Sequence, residues 1–168
     1  MPGRFTALLR AREDELIRAW ADGIYADRRT DLPVLLSYRE LIDSLPEVLA
    51  EWARLLDEAA DAHDLAVSAR WLRRHAQVRF QQGCLLDEVA RELMILRVVL
   101  NDFLWREGLA VTEGDLRPLR DALWRTNILL DEMLAQAVVT YAASLRPRVQ
   151  TRASDWPPPR RRAHDEKL

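Results

Sequence analysis

Residues 75–103 read HAQVRFQQGCLLDEVARELMILRVVLNDF, and the spacing of apolar residues in this stretch indicates the fold class. After Gly83, apolar residues recur at three- and four-residue intervals, the period of one helix face: Leu86, Val89, Leu93, Leu96, Leu100 and Phe103. Four more widen the apolar surface around the helix: Met94, Ile95, Val98 and Val99. A helix that is apolar on most sides lies in the centre of a bundle or at an interface.

The rest of the chain carries the same helical signature. Glycine is scarce, at 5 of 168 residues, and the helix-favouring residues Ala, Leu, Arg and Glu dominate the composition. Helices are predicted over about residues 6–26, 34–43, 44–61, 65–82, 85–107 and 115–145. Ser44 and Glu47 have the spacing of a capping box at the start of the third helix, and Gly83 is placed to end the fourth. We therefore expect an all-α bundle of five to six helices.

The last predicted helix is also the longest. About 30 residues give a rod of about 45 Å, which exceeds what a small core needs. Its apolar seam repeats at heptad spacing: Leu116, Leu119, Leu123, Thr126, Leu130, Met133, Ala137 and Tyr141. A long helix with such a seam is typical of pairing with a second subunit, so a homodimer is expected.

The composition changes near residue 145. Residues 1–145 are predicted to form one helical domain, whereas residues 146–168 contain three consecutive prolines and three consecutive arginines without any periodicity. We expect this basic tail to be disordered. The formal net charge of the whole chain is −2, so the helical part is acidic. That charge argues against a nucleic-acid partner, because DNA- and RNA-binding domains carry a basic excess.

The cysteine content and the N-terminus bear on the compartment. Cys84 is the single cysteine and has no partner for an internal disulfide, which fits a reducing compartment. The first residues, MPGRFTALLRARED, lack the apolar core of a signal peptide. No apolar run approaches the ~20 residues that span a bilayer. The expected localisation is cytoplasmic, without a membrane partner.

The sequence offers little catalytic chemistry. His63, His75 and His164 have no second His or Cys at helical spacing, so no metal site is expected. Cys84 is interpreted as a small apolar residue at a helix boundary. Neither a nucleophile elbow nor a phosphate-binding loop is present in the sequence. We therefore expect the chain not to be an enzyme.

Polar residues on apolar helices are the strongest candidates for a functional site. His75 and Arg79 lie about one helical turn apart, and Glu92 and Arg97 lie on the most apolar helix. A buried charge needs a partner, and Arg79 is predicted to pair with Glu92. The four residues are interpreted either as an internal polar network that fixes helix register or as a ligand-binding site. The sequence leaves both interpretations open.

The same stretch resembles the N-terminal domain of the RsbR/RsbRD co-antagonists of the bacterial stressosome. This domain type also precedes some bacterial sensor histidine kinases. The resemblance rests on a His, an Arg four residues later, a Gly, and a Leu-x-x-Val-x-x-Glu helix that ends in Leu-Arg: His75, Arg79, Gly83, Leu86, Val89, Glu92, Leu96 and Arg97. The LPEVL sequence of residues 45–49 is similar to the second helix of that domain. The resemblance spans about residues 8–143.

The resemblance implies a globin-like helical fold without a bound haem, and therefore no cofactor. It also implies a homodimer with a non-enzymatic sensory or regulatory role. In that role the domain biases an attached output domain, or signalling partner proteins, of a bacterial stress or two-component system. Neither a phosphorylatable regulatory domain nor a kinase core follows within the 168 residues, which fits a stand-alone module or a fragment.

Two other functions remain open at the level of sequence. In a haem- or tetrapyrrole-binding globin-type sensor, His75 would be the axial ligand, because it is the one histidine within a predicted helix. In a helical phosphotransfer domain, His75 would be the phosphoacceptor, although Ala76 stands where an acidic residue is typical of kinase dimerisation helices. An assembly module that only dimerises is a simpler alternative.

Overall fold

The computed structural model describes residues 3–145 of the chain. Its helices are α1 (Arg4–Ala26), α2 (Leu32–Leu35), α3 (Tyr38–Ile42), α4 (Leu45–Asp57), α5 (Ala62–Trp71), α6 (Arg73–Gln81), α7 (Leu86–Phe103), α8 (Leu109–Val111) and α9 (Leu116–Leu145). A π-helical turn, Leu104–Gly108, connects α7 to α8. No strand occurs within the described range, so the predicted all-α class with a long C-terminal helix is confirmed. The tail that was predicted to be disordered, residues 146–168, lies outside that range.

α9 is the central helix of the bundle. It packs against α4, α5, α6 and α7, and these helices bury most of its apolar seam, including Leu119, Leu130 and Ala137. Near its far end, the Tyr141 hydroxyl donates a hydrogen bond to the carbonyl oxygen of Cys84 at 2.7 Å. The prediction that this seam pairs with a second subunit is therefore wrong, because helices of the same chain already cover it.

α1 lies across α4 and α7 and is fixed near both ends. At its N-terminus, the Asp57 carboxylate accepts the backbone N–H groups of Phe5 and Thr6 at 2.7 and 2.8 Å, in place of a capping side chain from α1 itself. Near its C-terminus, a Cβ atom at Gly23 would lie 2.7 Å from Cγ2 of Ile95. The glycine therefore permits the close crossing of α1 and α7.

The helix predicted over residues 65–82 is two helices, because the chain bends at Leu72 between α5 and α6. Neither Pro nor Gly marks this bend. Beyond the bend, Ala76 and Arg79 are buried, at 4% and 0% exposed, whereas the aromatic residue Phe80 is 43% exposed. The guanidinium occupies the interior because its hydrogen-bond acceptors lie there, as described below.

The start of α4 differs from the prediction. Ser44 and Glu47 do not form a capping box, since the Ser44 side chain makes no bond to the helix it precedes. The capping box belongs to α3, where Ser37 accepts the backbone N–H of Glu40 and the Glu40 carboxylate accepts that of Ser37. The helix predicted over residues 34–43 is correspondingly divided into α2 and α3.

Candidate functional site

A turn at Gly83 brings the candidate residues of α6 and α7 together. Gly83 has a φ of +81°, in the left-handed region, which confirms its predicted role as the residue that ends the preceding helix. The chain reverses there, so that His75 and Arg79 of α6 lie beside Glu92 of α7. Three of the four residues predicted as a buried polar set therefore meet.

Arg79 and Glu92 form a buried ion pair, as predicted. The guanidinium Nε donates to Oε2 of Glu92 at 3.0 Å, and each side chain is 1% exposed. In the interior such a pair replaces the hydration that both charges lose, and only good geometry with further hydrogen bonds compensates for that loss. Both ions have further partners.

The remaining donors of Arg79 reach the end of α3. Nη1 donates to the carbonyl oxygen of Glu40 at 3.0 Å and to Oε1 of Gln82 at 2.9 Å. Nη2 donates to the carbonyl oxygen of Leu41 at 2.6 Å. The last carbonyls of a helix have no partner within the helix, so Arg79 supplies the donors that this five-residue helix lacks.

His75 connects Glu92 to the start of α4. Its Nε2 lies 2.5 Å from Oε1 of Glu92, and its Nδ1 lies 2.6 Å from Oγ of Ser44. An ionised carboxylate only accepts, so Nε2 carries the hydrogen. Nδ1 then accepts from the Ser44 hydroxyl when the ring is neutral and donates to it when the ring is protonated. The His75 side chain is 10% exposed, against 1% for each of Arg79 and Glu92, so it lies on the solvent side of the ion pair.

The environment of Glu92 keeps its side chain ionised. Burial is the largest influence and by itself raises the pKa of Glu92, but the charges and hydrogen bonds of His75 and Arg79 together outweigh it. The pKa of Glu92 is therefore below its ordinary value. The backbone carbonyl of the same residue accepts from the Trp20 indole N–H at 3.1 Å, which also ties α1 to this point.

Arg97, the fourth predicted member, does not belong to the network. Its Nη2 forms an ion pair with Asp131 of α9, and its side chain is 33% exposed. The reason is angular: five residues of helix separate Arg97 from Glu92, which turns the two side chains about 140° apart. Glu92 and Arg97, which belong to the same sequence motif, therefore lie on two different faces of α7.

Sequence reasoning missed a second buried carboxylate, Glu88. It accepts hydrogen bonds from the Thr30 hydroxyl and from the backbone N–H of Asp31, the latter at 3.0 Å. These contacts hold the segment between α1 and α2 against α7. Its position in the sequence could have indicated that it is buried, because Glu88 precedes Glu92 by about one helical turn and adjoins Val89 in the apolar stripe.

The network has the components of a proton relay but the geometry of a structural link. Ser44, His75 and Glu92 stand in line, as a hydroxyl, an imidazole and a carboxylate do in serine hydrolases. The ring is reversed, however, because in those enzymes the hydroxyl faces Nε2 and the carboxylate faces Nδ1. Arg79 also neutralises the carboxylate. The arrangement joins α1, α3, α4, α6 and α7 at one buried point.

Comparison with known proteins adds no relative. No protein-family model, curated protein or solved structure matches the chain. Within residues 3–145, no three His, Cys, Asp or Glu side chains are grouped so as to hold a metal ion. No helix in the same range combines the length and the apolar character that crossing a bilayer requires.

Proposed function

We propose that the chain is a non-enzymatic sensory or regulatory domain of the RsbR N-terminal type. In this proposal it acts in bacterial stress or two-component signalling, as a cytoplasmic homodimer, through partner proteins and without a cofactor. The observation that carries the proposal is the junction at Glu92, where His75 and Arg79 converge on one buried carboxylate. These are three residues of the motif on which the resemblance rests.

The composition of this junction supports a regulatory role. A buried ion pair is often no more stabilising than apolar residues of similar volume, and a role in selecting one of two states is a recognised reason to keep one. Here the pair carries an imidazole at its solvent side. A signal that changes the charge or the contacts of His75 changes the partners of Glu92 and Ser44, and so acts on α4 and α7 together.

A chimeric kinase tests the proposal. The full chain is placed upstream of the catalytic core of a well-characterised sensor kinase, at a series of junctions one residue apart so that every helical register is sampled. We expect at least one register to give regulated autophosphorylation, and His75→Ala to change its level several-fold. Circular dichroism should show that His75→Ala retains its helices, because the ring lies at the margin of the core.

Arg73→Ala is the matched control, since Arg73 is an exposed residue of the same helix. Equal autophosphorylation by wild type, control and His75→Ala in every register would contradict a sensory role. Hydrolysis of a chromogenic ester that both Ser44→Ala and His75→Ala abolish would contradict the non-enzymatic part of the proposal.

The haem and phosphotransfer alternatives both require a free ring nitrogen on His75. In the structure each nitrogen has a hydrogen-bond partner within 2.6 Å, so either function would have to break one of these bonds. Titration with haemin distinguishes the first alternative. A saturable Soret shift that disappears in His75→Ala would establish the cofactor sensor, and an unchanged spectrum is the result that our proposal predicts. For the second, our proposal predicts that no phosphodonor labels His75.

A further inference from the structure

Among residues 3–145, no other helix covers one solvent-exposed face of α7. We define the α7 face by five residues at three- and four-residue intervals, with one more from the π-helical turn: Asp87, Arg91, Met94, Val98, Asp102 and Arg106. Its centre is apolar, with Met94 56% exposed and Val98 61% exposed. Exposed apolar residues clustered on one helix face are typical of an interaction surface.

The order of charges along this face is self-complementary. From N- to C-terminus, an acidic and a basic residue come first, then the apolar centre, then a second acidic and a second basic residue. Asp87 and Arg106 are equally far from a point between residues 96 and 97, and so are Arg91 and Asp102. A second copy laid antiparallel about that point places each acidic residue opposite a basic one. A parallel copy would instead place like charges together.

The charges at these positions are poorly compensated within the chain. Within residues 3–145, Asp87, Arg91 and Asp102 take part in no ion pair, and Nε of Arg91 is buried without a hydrogen-bond partner. Arg106 lies 3.7 Å from Glu15, a long contact between two partly exposed side chains. The pKa of Asp27 is lowered mainly by Arg29, and Arg91 contributes only the smallest of the causes. Most of the Arg91 charge therefore stays available to an acidic group on whatever covers this face.

We propose that two copies of the chain pair antiparallel through the α7 face, with Arg91 of each copy opposite Asp102 of the other. Such a contact is isologous, and closed dimers of this symmetry are the commonest homo-oligomers. The proposal rests on the homodimer of the proposed function and identifies the surface through which it forms. The seam of α9 is not that surface, because it is buried within the chain. A stripe about 28 Å long buries little area, so we expect a dissociation constant in the micromolar range.

Charge exchange tests the pairing with the full chain. Sedimentation velocity over a range of concentrations is measured for wild type, Arg91→Asp, Asp102→Arg, their equimolar mixture, and the double variant. We expect each single variant to weaken dimerisation at least tenfold, because two like-charged pairs then face each other. The mixture and the double variant should regain it, because each restores opposite charges across an antiparallel contact.

Two further variants control for folding and position. Val98→Glu should abolish the dimer without loss of helix by circular dichroism, whereas Val34→Glu, at an exposed position on α2, should leave it unchanged. If wild type dimerises and the single charge variants and Val98→Glu dimerise equally well, the α7 face is wrong and the homodimer stands. If wild type is monomeric at all concentrations, the proposed homodimer fails as well, and the face remains for another partner.

Discussion

At the scale of single residues, the buried pair of Arg79 and Glu92 is the most sensitive feature of the molecule. Replacing Arg79 with Met leaves the Glu92 carboxylate without its cation in the interior and removes the donors to the end of α3. Breaking a buried pair from one side costs about 3–5 kcal/mol. We expect Arg79→Met to lower the free energy of unfolding in urea by that amount.

The double variant Arg79→Met with Glu92→Met separates charge from packing. Because it removes both ions, we expect it to be more stable than Arg79→Met alone. A double variant that is less stable than the single one would show that the Glu92 side chain contributes through contacts other than this ion pair.

The pH dependence of stability provides a second test at Glu92. The folded protein lowers the pKa of Glu92 below its ordinary value of 4.5, so the unfolded state binds its proton first as the pH falls. The stabilisation that ionised Glu92 provides is complete at pH values above its ordinary pKa. It is lost as the pH falls through the lower pKa that Glu92 has in the folded protein. We therefore expect the difference in the free energy of unfolding between wild type and Glu92→Gln to become smaller as the pH falls below the ordinary pKa of Glu92. Glu113→Gln gives the control for the loss of a carboxylate, since Glu113 is exposed and, among the described residues, contacts only the exposed Arg4 in an ion pair.

At the scale of elements, the crossing of α1 and α7 depends on Gly23. In an exposed helix, Gly→Ala is stabilising by roughly 0.5–1 kcal/mol. Here the added methyl group would lie 2.7 Å from Ile95, and overpacking of this kind costs about 1–3 kcal/mol. We therefore expect Gly23→Ala to lower the melting temperature and a second change, Ile95→Ala, to relieve part of that effect. A gain in stability from Gly23→Ala alone would contradict the close crossing.

Sequence patterns predicted the elements whose signals are local. Gly83 was identifiable because a glycine at the end of a helical pattern favours the left-handed conformation it adopts. The bend at Leu72 carries no such signal, since neither Pro nor Gly is present and tertiary contacts of Arg79 determine the buried face beyond it. Ser44 matched a capping pattern, but its hydroxyl bonds to His75, a choice that only the packing of α4 against α6 decides.

At the scale of the whole molecule, periodicity indicated burial but not the identity of the partner. The seam of α9 has the heptad spacing of an interface, yet α5, α6 and α7 of the same chain cover it. The pair formed by Arg79 and Glu92 was predictable because a carboxylate beside the apolar stripe of α7 needs a cationic partner, and the preceding helix carries Arg79. Arg97 was assigned to the same group because it lies on the same apolar helix as Glu92, and the helical angle excludes it.

We expect the buried network to couple α3, α4, α6 and α7, so that a change at His75 is transmitted through the bundle. Hydrogen exchange of the full chain, compared between wild type, His75→Ala and the control Arg73→Ala, tests this most directly. We predict that His75→Ala accelerates exchange in residues 38–49, which span α3 and the start of α4, as well as in α6. Acceleration confined to α6, with residues 38–49 as protected as in wild type and in the control, would contradict the coupling.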